Sequence, residues 1–356
     1  MRTLKKTLIV LIAALVAVSC GSGGKKNAAG NRNVTLTAAG ATFPLPFYNL
    51  AFKKYSESSG VTVNYGGIGS GGGIKSLRDK VVDFGATDAF LSDQELASMP
   101  APVVHIPTCI GGVVLGYNLP GVTGLKLTPL LIEKIFLGEI KKWNDPEIAS
   151  VNSTLKLPDM NITVVYRSDG SGTTYIFSDY LTKTGKNWAG KMGTGKSLNW
   201  PVGIAAKGNP GVAGTISQST GTIGYMGYEF AVAQKIPAAL VQNSSGNFVE
   251  ATLQTLSAAA SADIPADTRI MITNSSNPQA YPITSFTWII LYKDLAYDNH
   301  SQENAQATVT ALKWLIGQDA QAIATSVNYA SLPDKAVTQA KQVLSEITYN
   351  GKPISQ

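Results

Sequence analysis

Along this chain, short runs that alternate apolar and polar residues give way to glycine-rich turns, and these to stretches whose apolar residues recur every three or four positions. The first pattern marks a half-buried strand and the last an amphipathic helix. Residues 34–38 form the first such strand and 40–43 its turn, after which Pro44 and Pro46 open a helix with Phe47, Leu50, Ala51 and Tyr55 on its inner face. A second strand at 61–65 leads through the glycine turn 66–73 into a short helix containing Ile74 and Leu77. A strand end at 82–86 runs into Thr87 and Asp88, and a buried strand at 162–166 is followed by the turn 167–173 and a helix carrying Ile176, Phe177, Tyr180 and Leu181 on one face. Residues 103–110 and 284–291 are longer extended runs, and a closing helix starts near Pro333 with Val337, Ala340, Leu344 and Ile347 along one side. The repetition of strand, turn and helix predicts an α/β fold with ligands near the carboxyl ends of strands.

Each strand–turn–helix junction leaves the first helical amides without backbone partners and presents the positive end of the helix dipole. Glycine lets those N–H groups approach an anion closely, and a serine or threonine adds a hydroxyl. One such turn is ordinary, but several in one chain point to a tetrahedral oxyanion held by dipoles and neutral donors. A competing motif needs separate treatment: residues 190–197 match the nucleotide-binding pattern G-x-x-x-x-G-K-[ST] letter for letter. That loop requires a hydrophobic strand before it and a helix after it. Here Thr184-Gly-Lys-Asn-Trp-Ala189 precedes it and Pro201 follows closely, so no nucleotide site is expected.

Charge changes the picture at the amino terminus. The chain of 356 residues carries 29 basic and 23 acidic residues, a formal +6 that would ordinarily prompt a search for an acidic partner. Six of those basic residues lie within residues 1–33, which hold no acidic residue, leaving 23 basic against 23 acidic in the rest. The remainder is neutral overall, and no nucleic-acid partner is expected. Residues 8–18 are an unbroken apolar run between a basic segment and the small residues before Cys20. As a helix this run rises about 16 Å, half of the ~30 Å hydrocarbon core of a bilayer. It therefore fits an export signal, residues 1–19, better than a spanning helix. Ala17-Val18-Ser19-Cys20 resembles a bacterial lipobox, with Ala17 standing where leucine is commonest. Cys20 is then the expected lipidation site, and residues 20–33 a flexible tether.

With only His105 and His300, and Cys109 as the one thiol beyond Cys20, sites built from histidine and cysteine ligands are not expected, nor are serine or cysteine hydrolases that need a histidine base. The two histidines are expected at a strand edge and on the surface. No cofactor and no metal are expected.

Taken in order, the segments at 40–48, 63–75, 82–93, 110–121, 137–148, 167–174, 221–231, 281–294 and 329–334 resemble those of the phosphate-binding proteins of bacterial phosphate ABC transporters, within the periplasmic-binding-protein superfamily. The likeness spans nearly all of the chain after the tether, and collinearity makes it far more specific than any one motif. It implies a two-lobed α/β fold with two crossover segments and a ligand cleft between the lobes, lobe I being 34–110 plus 283–356 and lobe II 111–282. It further implies that phosphate contacts Thr42, the backbone N–H of Phe43, Ser70, Asp88, Arg167, Ser171, Gly172 and Thr173, with Asp169 holding Arg167 in place. Gly71 stands where relatives can carry a second serine; Ser70 is intact.

The residue chemistry is consistent with that transfer. Arg167 offers a planar fork to two oxygens. Asp88 would repel an anion unless the anion carries a proton to donate, as HPO₄²⁻ and H₂PO₄⁻ do and sulfate does not. The expected function is therefore a non-enzymatic, lipid-anchored receptor, exported to face the periplasm or the cell exterior. It would deliver inorganic phosphate to the permease subunits and ATPase of an ABC transporter. A receptor for another oxyanion such as sulfate or molybdate is the alternative, and a phosphate-ester hydrolase using Ser171 or Thr42 a more distant one.

Overall fold

The computed structural model describes residues 34–260, 263–298 and 300–354. The expected export signal, Cys20 and the tether lie outside them. Eight strands make the main sheet: β1 (Thr35–Gly40), β2 (Thr62–Gly67), β3 (Phe84–Thr87), β4 (Val103–Tyr117), β5 (Thr163–Arg167), β6 (Ile204–Ala206), β7 (Thr222–Gly227) and β8 (Thr284–Tyr292). Their order across the sheet is β2-β1-β3-β8-β4-β7-β5-β6. The expected runs at 103–110 and 284–291 are thus its two central strands. Both are almost wholly buried, which explains why neither carries an Asp, Glu, Lys or Arg.

β1 is parallel to β2 and β3, and β5 to β6 and β7, whereas β8 runs antiparallel to β3 and β4, and β4 antiparallel to β7. β4 has 15 residues, a span of about 50 Å. Residues 103–112 of it pair with β8 and residues 113–117 with β7. Thr87, ending β3, is level with Pro107 through Trp288, and Gly227, ending β7, is opposite Val113. Because the two parallel groups run in opposite directions along β4, their carboxyl ends face each other across its middle. Ligands of open α/β sheets bind outside such ends, and here two sets of ends converge on one place.

A bulge marks that place. The β4–β8 register shifts between Thr287 and Trp288, whose partners are Cys109 and Pro107, so Thr108 is the extra residue. Pro107 lacks an N–H for the ladder, and a bulge is where a central strand tolerates proline.

Helices cover both faces. In α1 (Leu45–Ser59), Pro46 lies in the first turn, and Gly60 ends the helix at φ +75°, its N–H bonding the Ser56 carbonyl. Its buried face is Phe47, Tyr48, Ala51, Phe52 and Tyr55, while Leu50, expected inside, is 42% exposed. The stripe is turned toward Tyr48, whose hydroxyl meets Thr108 Oγ1 at 2.8 Å, and Phe52. In α2 (Ser70–Arg78), a side chain at Gly73 would come within 2.6 Å of Gly40 Cα and 2.8 Å of the Ala86 carbonyl oxygen, so only glycine lets this helix lie against β1 and β3. Three further helices bear on the site: α3 (Asp93–Ala97), α4 (Gly172–Thr184) and α5 (Gly208–Gln218). α4 buries Ile176, Phe177, Tyr180 and Leu181 as its spacing predicts. The closing helix α6 (Asp334–Ser345) follows Pro333 and buries Ala336, Ala340, Val343 and Leu344. Val337 is only half-buried, and Ile347 is buried beyond the helix end.

The histidines need correction. His105 is buried in β4, its Nε2 accepting the Leu91 N–H at 3.0 Å, and burial pushes its pKa down to about 3, so it is a neutral acceptor. His300 is not a surface residue: its side chain is 7% exposed, with Nε2 at 2.7 Å from Asp83 Oδ1. Among the described residues no helix is long and apolar enough to cross a membrane.

Candidate anion-binding site

The expected contact residues come from five places in the sequence that the fold brings to the middle of β4. Thr42 and Phe43 occupy the β1–α1 turn, Ser70 starts α2, and Asp88 follows β3. Arg167 ends β5, Ser171 caps α4, and Gly172 and Thr173 begin it. Thr42, Phe43, Ser70, Asp88, Arg167, Ser171 and Thr173 are all buried.

Two hydrogen-bond networks tie them together. In the first, Ser70 Oγ accepts the N–H of Asp88 at 3.2 Å and that of Gly172 at 3.1 Å, joining the β3 end to the start of α4. The Gly172 N–H, expected on the anion, is thus met here by a hydroxyl. A side chain at Gly172 would lie 2.6 Å from both Asp88 Cβ and Ser70 Oγ, so the approach requires glycine. Asp88 Oδ1 accepts from Thr287 Oγ1 at 2.8 Å, and Oδ2 has only a long 3.5 Å contact from Ser70 Oγ. The carboxylate therefore keeps one oxygen weakly engaged.

The second network centres on Arg167. Its Nε donates to Asp169 Oδ1 at 2.7 Å, Nη2 to Asp169 Oδ2, and Nη1 to Thr173 Oγ1 at 3.2 Å. The Gly208 N–H, starting α5, also reaches Asp169 Oδ1 at 3.0 Å. Asn209 then donates through Nδ2 to Thr42 Oγ1 at 3.1 Å and Thr173 Oγ1 at 3.0 Å, and through its backbone N–H to Thr42 Oγ1 at 3.1 Å. Ser171 Oγ accepts the Thr174 N–H at 3.0 Å as a helix cap. The Phe43 carbonyl accepts from the Tyr329 hydroxyl, fixing the turn whose N–H is expected to face the anion.

The two carboxylates differ in electrostatic state. Burial pushes Asp88 up to about 7, against the opposing pull of the Thr287 bond, the Arg167 charge and the Ser70 contact. Burial would push Asp169 up too, but the Arg167 bonds and charge and the Gly208 N–H outweigh it and hold its carboxyl below the usual range. The cation is thus largely neutralised by its own partner. What remains is one acceptor, Asp88, among hydroxyl and amide donors. Such an arrangement suits an oxyanion that accepts from oriented donors and itself donates one hydrogen bond.

Compared with known proteins, the chain matches the PBP superfamily domain over residues 26–344. It is 38% identical over 314 residues to the phosphate-binding protein PstS of Haemophilus influenzae, covering 86% of this chain and 91% of that one. The PstS protein of Methanocaldococcus jannaschii is 32% identical over 352 residues, covering 92% and 90%. The chain belongs to the PstS family of periplasmic binding proteins. The fold agrees: a high-affinity periplasmic phosphate-binding protein solved with phosphate superposes with a TM-score of 0.67 at 22% identity, covering 87% of this chain and 93% of that one. The phosphate-binding protein of Stenotrophomonas maltophilia gives 0.61 at 20% identity over the same shares. The α/β periplasmic-binding-protein fold is that of this PstS-family chain, with β4 and β8 at the centre of its sheet.

Two residues at the site escaped the sequence reading. Asn209 lies in one more glycine turn opening a helix, a signal of the same kind as the others. Thr287 is one of three serine and threonine residues in β8, with Thr284 and Ser285, and it sits at the bulge, where its hydroxyl meets Asp88. The nucleotide-like segment does other work. Residues 192–203 hold neither helix nor strand, the Lys196 carbonyl accepts the Ser171 N–H at 2.8 Å, and Lys196 Nζ pairs with both Glu95 oxygens at 2.9 Å.

Proposed function

We propose that this PstS-family chain captures inorganic phosphate without covalent chemistry and delivers it to the permease and ATPase of an ABC transporter. The observation that carries the reading is Asp88: a buried carboxylate with one oxygen weakly engaged, in a site otherwise built of donors. A phosphate hydroxyl satisfies that oxygen, while the remaining phosphate oxygens take the donors of Thr42, Phe43, Ser70, Arg167, Ser171 and Thr173, and that of Gly172 only where its N–H leaves Ser70 Oγ. Fully ionised sulfate or molybdate brings no proton and leaves two acceptors facing each other. A site built to pair a ligand hydroxyl rejects analogues lacking it by roughly 10⁴–10⁵-fold.

The two flanks of the sheet, meeting along β4 and β8, support a division into lobe I (34–110 and 283–356) and lobe II (111–282) that close on the ligand. Export and anchoring through Cys20 belong to the same proposal and rest on the lipobox-like segment. Two facts weigh against hydrolysis. Ser171 Oγ serves as a helix cap, and His105 Nε2 is committed to the Leu91 N–H. Isothermal titration of the purified protein at pH 8 should give tight phosphate binding and none with sulfate; silence toward phosphate, or equal competition by sulfate, would overturn the reading.

A further inference from the structure

The second network raises a question the ligand set alone does not answer: why two threonine hydroxyls, each able to donate or accept, should present their protons to an anion. A threonine oxygen has one proton and two acceptor positions. Thr42 Oγ1 has both acceptor positions filled, by the backbone N–H and the Nδ2 of Asn209, each at 3.1 Å. Thr173 Oγ1 likewise accepts from Asn209 Nδ2 at 3.0 Å and from Arg167 Nη1 at 3.2 Å. Neither oxygen has acceptor capacity left, so each hydroxyl can only donate outward.

We propose that Asn209 is the positioning residue that sets the polarity of the site, holding Thr42 and Thr173 as obligate donors toward the bound anion. The side-chain amide suits this task. Its Oδ1 accepts the Gly227 N–H at 3.0 Å, which settles which end of the amide carries hydrogens. Both hydrogens of Nδ2 are then spent, one on each threonine. Asn209 is fully buried, so no water competes for them. Being neutral, it adds donor character without adding a charge that any dianion could exploit. It also links a threonine of the β1–α1 turn to one at the start of α4, so both hydroxyls are set by a single group.

This inference rests on the phosphate reading, and its test separates the two. The probe is inorganic phosphate, titrated calorimetrically at pH 8 into wild type, Asn209→Ala, Thr173→Val and the double variant. If wild type binds no phosphate, the functional reading falls and this inference with it, before any variant is considered. If wild type binds, Asn209→Ala should lose about 10–100-fold in affinity, the scale of hydrogen bonds to a charged ligand. In the Thr173→Val background that loss should shrink by about fivefold or more, because one hydroxyl that Asn209 directs is gone. A loss of equal size in both backgrounds would make Asn209 a packing residue and overturn the proposal while leaving phosphate binding intact. Should Asn209→Ala fail to melt cooperatively, Asn209→Asp takes its place in the same cycle. It keeps the shape and the acceptor for Gly227 but offers the threonines an acceptor instead of a donor. Its affinity within about threefold of wild type, or a loss undiminished by Thr173→Val, would equally overturn the proposal.

Discussion

The two ends of the sheet that meet at the site each deliver an aspartate, and the two are held in opposite states. At the β5 end, Asp169 is clamped by the Arg167 guanidinium and the Gly208 N–H, and its carboxyl lies below the usual range. At the β3 end, Asp88 is buried with one bond from Thr287 and a long contact from Ser70, and burial lifts it to about 7. A carboxylate bound to a cation is a brace: its charge is spent on orienting the arginine. A carboxylate buried without one of its own is an acceptor that responds to protons. In the proposed reading, the pairing of the two in one site lets it hold an anion while testing that anion for a hydrogen.

The sharpest way to break this comparison is to remove the brace. Arg167→Ala strips Asp169 of its cation and the site of its fork, so phosphate affinity should fall by about 10³-fold or more. Leaving the partly buried Asp169 without its cation should also cost about 1–3 kcal/mol of stability. Titration calorimetry and denaturant unfolding read the two losses. A variant that stays as stable as wild type would mean that Asp169 needs no cation.

A smaller effect sharpens the other side. In the ligand-free protein Asp88 binds its proton more tightly than the unfolded chain does, whose aspartates titrate near ~3.9. That contribution is fully present below about pH 4 and is lost as pH rises through about 7. Asp88→Asn removes the penalty, so the melting temperature of the free variant should exceed that of wild type by about 2–4 °C at pH 8, with the gain fading toward pH 4. A difference that does not change with pH would show that Asp88 is not lifted by burial.

Much of this arrangement was legible in the chain because its parts are local. The turns at 40–43, 66–73 and 167–173 carry their donors within a few residues of the strands and helices that aim them. The inner face of α1 was only partly legible: Leu50 shares the spacing of Phe47 and Tyr55, but the buried face turns toward partners distant in sequence, Thr108 at Tyr48 and Phe84 at Phe52. Asn209 and Thr287 were missed for the same reason. Asn209 meets Thr42 across 167 positions, and Thr287 meets Asp88 across 199, beside a bulge that Pro107 signals only on the partner strand. The nucleotide-like segment shows the converse, letters without the strand and helix that would give them meaning.

The central claim is that Asp88 selects phosphate by accepting a hydrogen bond from its hydroxyl. Phosphate and sulfate titrated at pH 8 into wild type and Asp88→Asn test it most directly. The preference for phosphate over sulfate should fall by about 100-fold or more in the variant, chiefly because sulfate gains, with phosphate affinity changing less. A preference unchanged by the substitution would contradict the account.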